Sequence, residues 1–222
     1  MKQVAPGIWR LSEFPRPTIN IYLAGDVLID AGRRWDTGRI RKQTADRDLS
    51  MIALTHVHPD HQGAAKEICI ERGIPLACHV DDVDAMEGRR PVQETQSGNF
   101  WNRLIRKLWE GPPYAVEHPF EAGERIAGFE VVHAPGHARG EVIFWRPSDR
   151  VAICGDVVRN MSYVTTLPGV REPPEIFTYD VAENRRSIRK LADLEPALTL
   201  PGHGPEIRGW EEIDALARSV GA

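Results

Sequence analysis

The chain has 222 residues, 41% hydrophobic and 27% charged, with 28 basic against 32 acidic side chains for a formal net charge of −4. This composition excludes intrinsic disorder, and the acidic balance disfavours a nucleic-acid binder acting through a broad basic surface. No apolar run approaches the roughly 18 residues of a membrane span, MKQVAPGIWRLSEF has no signal-peptide core, and Cys69, Cys78 and Cys154 lack paired metal spacing, so a single cytoplasmic domain over 1–222 with no membrane partner is expected.

In chain order, short apolar runs separated by turn residues predict strands at 8–11, 19–23 and 27–29. The polar stretch 36–48 reads as a solvated helix, and SMIALT at 50–55 as a buried strand. A helix from about 61 to 72 and a strand near 75–79 follow. Between 81 and 118 two helical stretches are expected. The second, SGNFWNRLIRKLWEG, places Phe100, Trp101, Leu104, Ile105, Leu108 and Trp109 on one face, a candidate lid, core contact or homodimer contact. Strands return at 129–132, 141–145 and 151–154. A Pro- and Gly-rich loop occupies 159–174, then come a helix at 180–194, a strand at 197–200 and an amphipathic helix at 210–220. Strands in both halves with helices between them predict an α/β (α+β) arrangement of one or two sheets with helices outside.

The eight histidines carry the chemistry. THVHPDHQG, at the end of the 50–55 strand, holds His56, His58, Asp60 and His61. In extended chain His56 and His58 point the same way and can share one metal. Pro59 delays the helix, and Asp60 and His61 are expected in its first turn, aimed elsewhere; as the bland alternative, Asp60 is an N-cap. Nitrogen and carboxylate ligands suit zinc, and to a lesser degree iron or manganese. His137 in APGHARG, Asp156 in ICGD and His203 in LPGHGP are further ligand-type residues at strand ends beside glycines. His79, His118 and His133 fall outside this set, with hydrogen-bonded structural roles expected.

HVHPDH followed by GH, D and GH resembles the metallo-β-lactamase superfamily, over nearly the whole chain, with its hydroxyacylglutathione hydrolase (glyoxalase II) members most similar in ligand set. The resemblance implies a four-layer αββα sandwich with the metals at one edge between the sheets. It implies that His56, His58 and His137 hold a first divalent ion, that Asp60, His61 and His203 hold a second, and that Asp156 bridges them. A water between two dications ionises near neutral pH, because coordination lowers its pKa from 15.7 to roughly 7 for zinc. The resulting hydroxide is the expected nucleophile, and no G-x-S-x-G elbow competes with it. Asp60, Asp156 and the hydroxide leave the two dications one positive charge in excess, which favours an anionic transition state. A small-molecule ester, thioester or lactone with apolar bulk is the expected substrate, its pocket drawn from Phe14, the 98–110 helix, Asn160, Met161 and Tyr163. The same motif also serves phosphodiesterases and nucleases, and mononuclear iron persulfide dioxygenases.

Overall fold

The computed structural model describes residues 1–13, 17–92 and 108–221. Four strands open the chain, β1 (Lys2–Ala5), β2 (Ile8–Arg10), β3 (Tyr22–Ala24) and β4 (Val27–Ile29), each antiparallel to the last. Helix α1 (Thr37–Gln43) and helix α2 (Ala65–Arg72) then connect β4, β5 (Met51–Ala53) and β6 (Leu76–His79), so these strands run parallel. A 3-10 turn and the short α3 (Val83–Met86) precede β7 (His118–Phe120), which closes a seven-stranded sheet in sequence order.

The second sheet begins as a meander of β8 (Arg125–Ile126), β9 (Phe129–His133), β10 (Val142–Arg146) and β11 (Val151–Gly155). Helix α4 (Val181–Asp193) crosses over to β12 (Leu198–Pro201), parallel to β11; β13 (Ile207–Arg208) and α5 (Glu211–Ser219) follow.

Strand alternation explains the layers. In β3 and β4, Tyr22, Ala24, Val27 and Ile29 face a central core with Phe129, Phe144 and Leu200, whereas Leu23 and Leu28 face an outer core with Ile40 and Ile68 of α1 and α2. Ile143, Trp145, Ala152 and Cys154 turn the other way, onto Ile188, Leu191, Ile213 and Ala217 of α4 and α5. Helix, sheet, sheet, helix is the four-layer sandwich. Cys154 is a core residue as its apolar surroundings predict, and all three cysteines are buried and free.

Within the described residues the predicted strands and helices are present with shifted ends, but β1, β7, β8 and β13 are not evident in the sequence. They are two to four residues long and exist only through their partners. The helix expected from about 61 begins at Ala65, because residues 59–64 form turns with His61 N–H and Gln62 N–H both donating to the His58 carbonyl. The helix expected near 98–110 lies almost wholly outside the described residues. No helix among the described residues is long and apolar enough to cross a membrane.

Candidate metal centre

Sheet register brings the ligand-type residues together. The parallel pair β4–β5 aligns Ile29 with Ala53, so Asp30 meets Thr55 and the following histidine loop. The parallel pair β11–β12 aligns Gly155 with Pro201, which places Asp156 beside Gly202 and His203. Val142 N–H donates to the Thr55 carbonyl and ties the two sheets at this edge. Gly202 is needed for the approach: a Cβ there would lie 2.2 Å from Asp156 Oδ1 and 2.7 Å from His61 Cε1.

All seven residues singled out in the sequence converge. His56, His58 and His137 form one group with ligand atoms within 4.8 Å of one another, and Asp60, His61 and His203 form a second. The Asp156 carboxylate faces both: Oδ2 lies 3.5 Å from His137 Nε2 and 3.0 Å from His203 Nε2, and Oδ1 lies 3.6 Å from His61 Nε2. Asp60 Oδ2 is 3.3 Å from His203 Nε2. Asp60 caps no helix, since the residue preceding α2 is Ala64 and no side chain caps it. His61 and Asp60 sit in the turn before α2 rather than in its first turn.

Outer partners turn four imidazoles inward through their Nδ1 atoms, the arrangement that fixes tautomer and aim in metal sites. His61 Nδ1 meets Asp30 Oδ2 at 2.8 Å, His56 Nδ1 meets Thr55 Oγ1 at 3.2 Å, His137 Nδ1 meets Thr178 Oγ1 at 3.3 Å, and His203 Nδ1 meets the Thr18 carbonyl at 2.6 Å. Asp82 accepts from Val57 N–H and Gly140 N–H, joining the loops that carry His58 and His137. Glu141 Oε1 accepts from Asp156 N–H at 2.6 Å and lies 3.6 Å from His56 Nδ1. Asp30, Asp82 and Glu141 are not evident as site residues in the sequence. Asp30, in LIDAG at a strand end beside glycine, carries the same signal as Asp156 in ICGD; Glu141, before the apolar VIFW, carries none.

Burial and neighbouring imidazoles push His56 and His58 well below the usual histidine range, and burial holds His137 down at about 4. These rings present neutral lone pairs. For His61 burial is overcome by Asp30 and Asp156, which raise it to about 9, and for His203 by Asp156 and Asp60. The same imidazoles outweigh burial at Asp156, holding its carboxyl down at about 2, and Asp60 is also lowered. The residues fit a cationic occupant: His56 Nε2, His61 Nε2 and Asp156 Oδ1 are buried without a hydrogen-bond partner. Unpaired buried polar atoms cost about 1–3 kcal/mol each, a cost that metal coordination would offset.

A cavity of about 320 Å³ opens beside the cluster, lined in part by Ile19, Arg33, Trp109, Met161, Tyr163 and Phe177. Met161, Tyr163 and Trp109 stand where the sequence suggests. Asn160 does not line the cavity; its side chain donates to the Pro205 carbonyl and accepts from Gly169 N–H. Phe14, Phe100, Trp101, Leu104 and Ile105 lie outside the described residues. His79 and His133 stack at 4.0 Å, with His133 Nε2 on the Arg139 carbonyl and His79 Nδ1 accepting from Asp81 N–H, while His118 is exposed on β7. The stacked pair and Asp81 form a further ligand-type group, but near-parallel rings aim their lone pairs side by side rather than at one point.

A sequence model of the metallo-beta-lactamase superfamily matches residues 16–203. Among curated relatives, the probable metallo-hydrolase YflN of Bacillus subtilis (strain 168) is 29% identical, over 82% of this chain and 76% of its own. The probable metallo-hydrolase YybB of the same organism is 26% identical over 84% and 79%. The crystal structure of TTHA1623 in a di-iron-bound form superposes with a TM-score of 0.71 at 27% identity, over 94% of this chain and 98% of that one. The B3 metallo-beta-lactamase BLEG-1, at 23% identity and a TM-score of 0.70 over 92% and 95%, shares the fold.

Proposed function

Because the chain belongs to the metallo-beta-lactamase superfamily, we propose that it is a metal-dependent hydrolase holding two divalent ions and cleaving a small ester, thioester or lactone. The observation that carries this reading is the pair of three-residue groups with the Asp156 carboxylate facing both, several of their ligand atoms being buried without a hydrogen-bond partner. His56, His58 and His137 would hold one ion, Asp60, His61 and His203 the other, with Asp156 between them. Bound dications supply Lewis acidity and an ionised water at neutral pH. Water adds to the acyl carbon, the bond to the leaving oxygen or sulfur breaks, and the leaving group takes up a proton.

The chain's own contribution is orientation and exclusion of water. Asp30, Thr55, Thr178 and the Thr18 carbonyl fix the ring nitrogens, and the apolar cavity walls lower the local dielectric around the scissile group. Nitrogen and carboxylate donors suit zinc, and the di-iron-bound TTHA1623 makes iron the alternative. The second group offers a place for a second ion, and metal stoichiometry separates the hydrolase from a mononuclear oxygenase. Arg33, the one Lys or Arg among the described residues lining the cavity, is already paired, so it adds little to the metals in binding a phosphodiester.

Metal analysis by mass spectrometry on protein purified without chelator, with an ester, thioester and lactone panel, tests this reading. Two ions per chain and turnover are expected. Asp60→Asn should keep one ion and lose most activity. Fewer than one ion after reconstitution, or no turnover across the panel, would overturn it.

A further inference from the structure

Apolar residues line the cavity, and exposed apolar residues stand beside them in the chain. Of the eight large apolar side chains that are exposed among the described residues, Tyr163 lines the cavity, Trp35 packs on a lining residue, and Leu108, Val164, Leu167 and Ile176 adjoin lining residues in sequence. Trp35, 52% exposed, packs edge-on against Trp109 at 6.3 Å, and Leu108 is the neighbour of Trp109 in sequence. In the 159–177 segment, Val164 and Leu167, 93% and 55% exposed, are sequence neighbours of the lining residues Tyr163 and Thr166, and Ile176 precedes the lining residue Phe177. Exposed apolar residues are ordinary when scattered; contiguity with a pocket marks a binding surface.

The one guanidinium among the described residues lining the cavity is already paired. Arg33 Nη2 donates to Glu13 Oε1 at 2.8 Å and Nε to Asp36 Oδ2 at 2.9 Å, and its guanidinium lies 5.5 and 5.9 Å from the Trp35 and Trp109 rings. An anionic substrate tail reaching Arg33 would meet two carboxylates at hydrogen-bond distance. The cavity, about 320 Å³, lies at the lower end of ligand-pocket volumes and has room for a slender acyl chain.

We propose that the substrate's acyl group is an uncharged, unbranched hydrocarbon chain that runs along Trp109, Tyr163 and Phe177 and ends on the rim of Trp35, Val164 and Leu167. This rests on the hydrolase reading of the histidine cluster.

The test uses metal-reconstituted protein and p-nitrophenyl esters from acetate to decanoate, below their micelle concentrations. A buried methylene is worth about four-fold in kcat/KM, so the series should rise by about that factor per carbon along the walls. An ester of equal length ending in a carboxylate should lose most of this gain. The double variant Val164→Asp/Leu167→Asp, changed at exposed positions, should lower the decanoate-to-acetate ratio at least ten-fold, with melting temperature as a check on folding. Binding of decanamide and hexanamide, followed by tryptophan fluorescence, gives a readout independent of turnover, and decanamide should bind at least ten-fold tighter. Turnover with a flat length series, or an unchanged ratio in the folded variant, overturns the chain proposal and leaves the hydrolase standing. No turnover of these esters or of the thioester and lactone panel, with length-dependent amide binding, supports the chain site and overturns the hydrolase. Neither turnover of any of them nor length-dependent binding overturns both.

Discussion

Glu141 shows how one buried side chain can govern the site without entering it. Burial, with the Asp156 carboxylate beside it, pushes its carboxyl well above the usual carboxylate range, and its Oε1 accepts from Asp156 N–H. Glu141→Ala would strand that N–H in a buried place, at a cost of about 1–3 kcal/mol, and free the Asp156 backbone to move. Glu141→Gln keeps a carbonyl-type acceptor. The alanine variant should lose both melting temperature and metal content after dialysis, and the glutamine variant clearly less of each. Equal losses in the two would show that packing, rather than the accepted hydrogen bond, holds Asp156.

At the scale of elements, α4 positions the His137 loop through its N-terminus. Asp180 caps the helix by accepting from Glu183 N–H at 3.0 Å, and its own N–H donates to the Gly136 carbonyl, while Tyr179 N–H donates to that of His137. Gly136, at φ +134, sits so close that a Cβ there would be 2.1 Å from Asn184 N. Residues Asn184, Ser187, Ile188, Leu191 and Ala192 form the buried face that holds the helix on the second sheet. Asp180→Ala should cost about 1 kcal/mol of cap stability, or roughly 2–4 °C in Tm for a chain of this size. Because the backbone bonds to Gly136 and His137 survive, metal stoichiometry should hold at the wild-type value. A fall in stoichiometry would show that the cap, beyond the helix, holds the His137 loop.

Across the whole molecule, Glu206 clamps the two sheets. From the turn between β12 and β13 it pairs with Lys2 of β1 and Arg10 of β2, each at 2.9 Å. Burial opposes its ionisation, but Lys2, its own backbone N–H and Arg10 hold the carboxyl down at about 2. A carboxyl depressed in the folded state stabilises above its unfolded pKa, and that stability is lost as pH falls through the folded value. Glu206→Gln should therefore lower denaturant stability at pH 7, with the gap to wild type shrinking between about pH 5 and pH 2. A gap constant across that window would mean that the carboxylate charge contributes nothing to the clamp.

The sequence by itself determined the seven ligand-type residues, the main strands and helices, and, through its motif, the family. Those signals are local: an apolar run ending in HVHPDH, or in GD and GH, is written in consecutive residues. Register and packing were decided only in the tertiary structure. The sequence placed Asp60 and His61 in a helix, and the turn bonds on the His58 carbonyl put them before it. Asp82 and Glu141 read as ordinary charged residues until sheet pairing buries them against Val57, Gly140 and Asp156. The same holds for β1, β7, β8 and β13, and for the packing of Trp35 on Trp109 beside the cavity. These features join residues far apart in the chain, and their stability comes from partners that no local stretch of sequence contains.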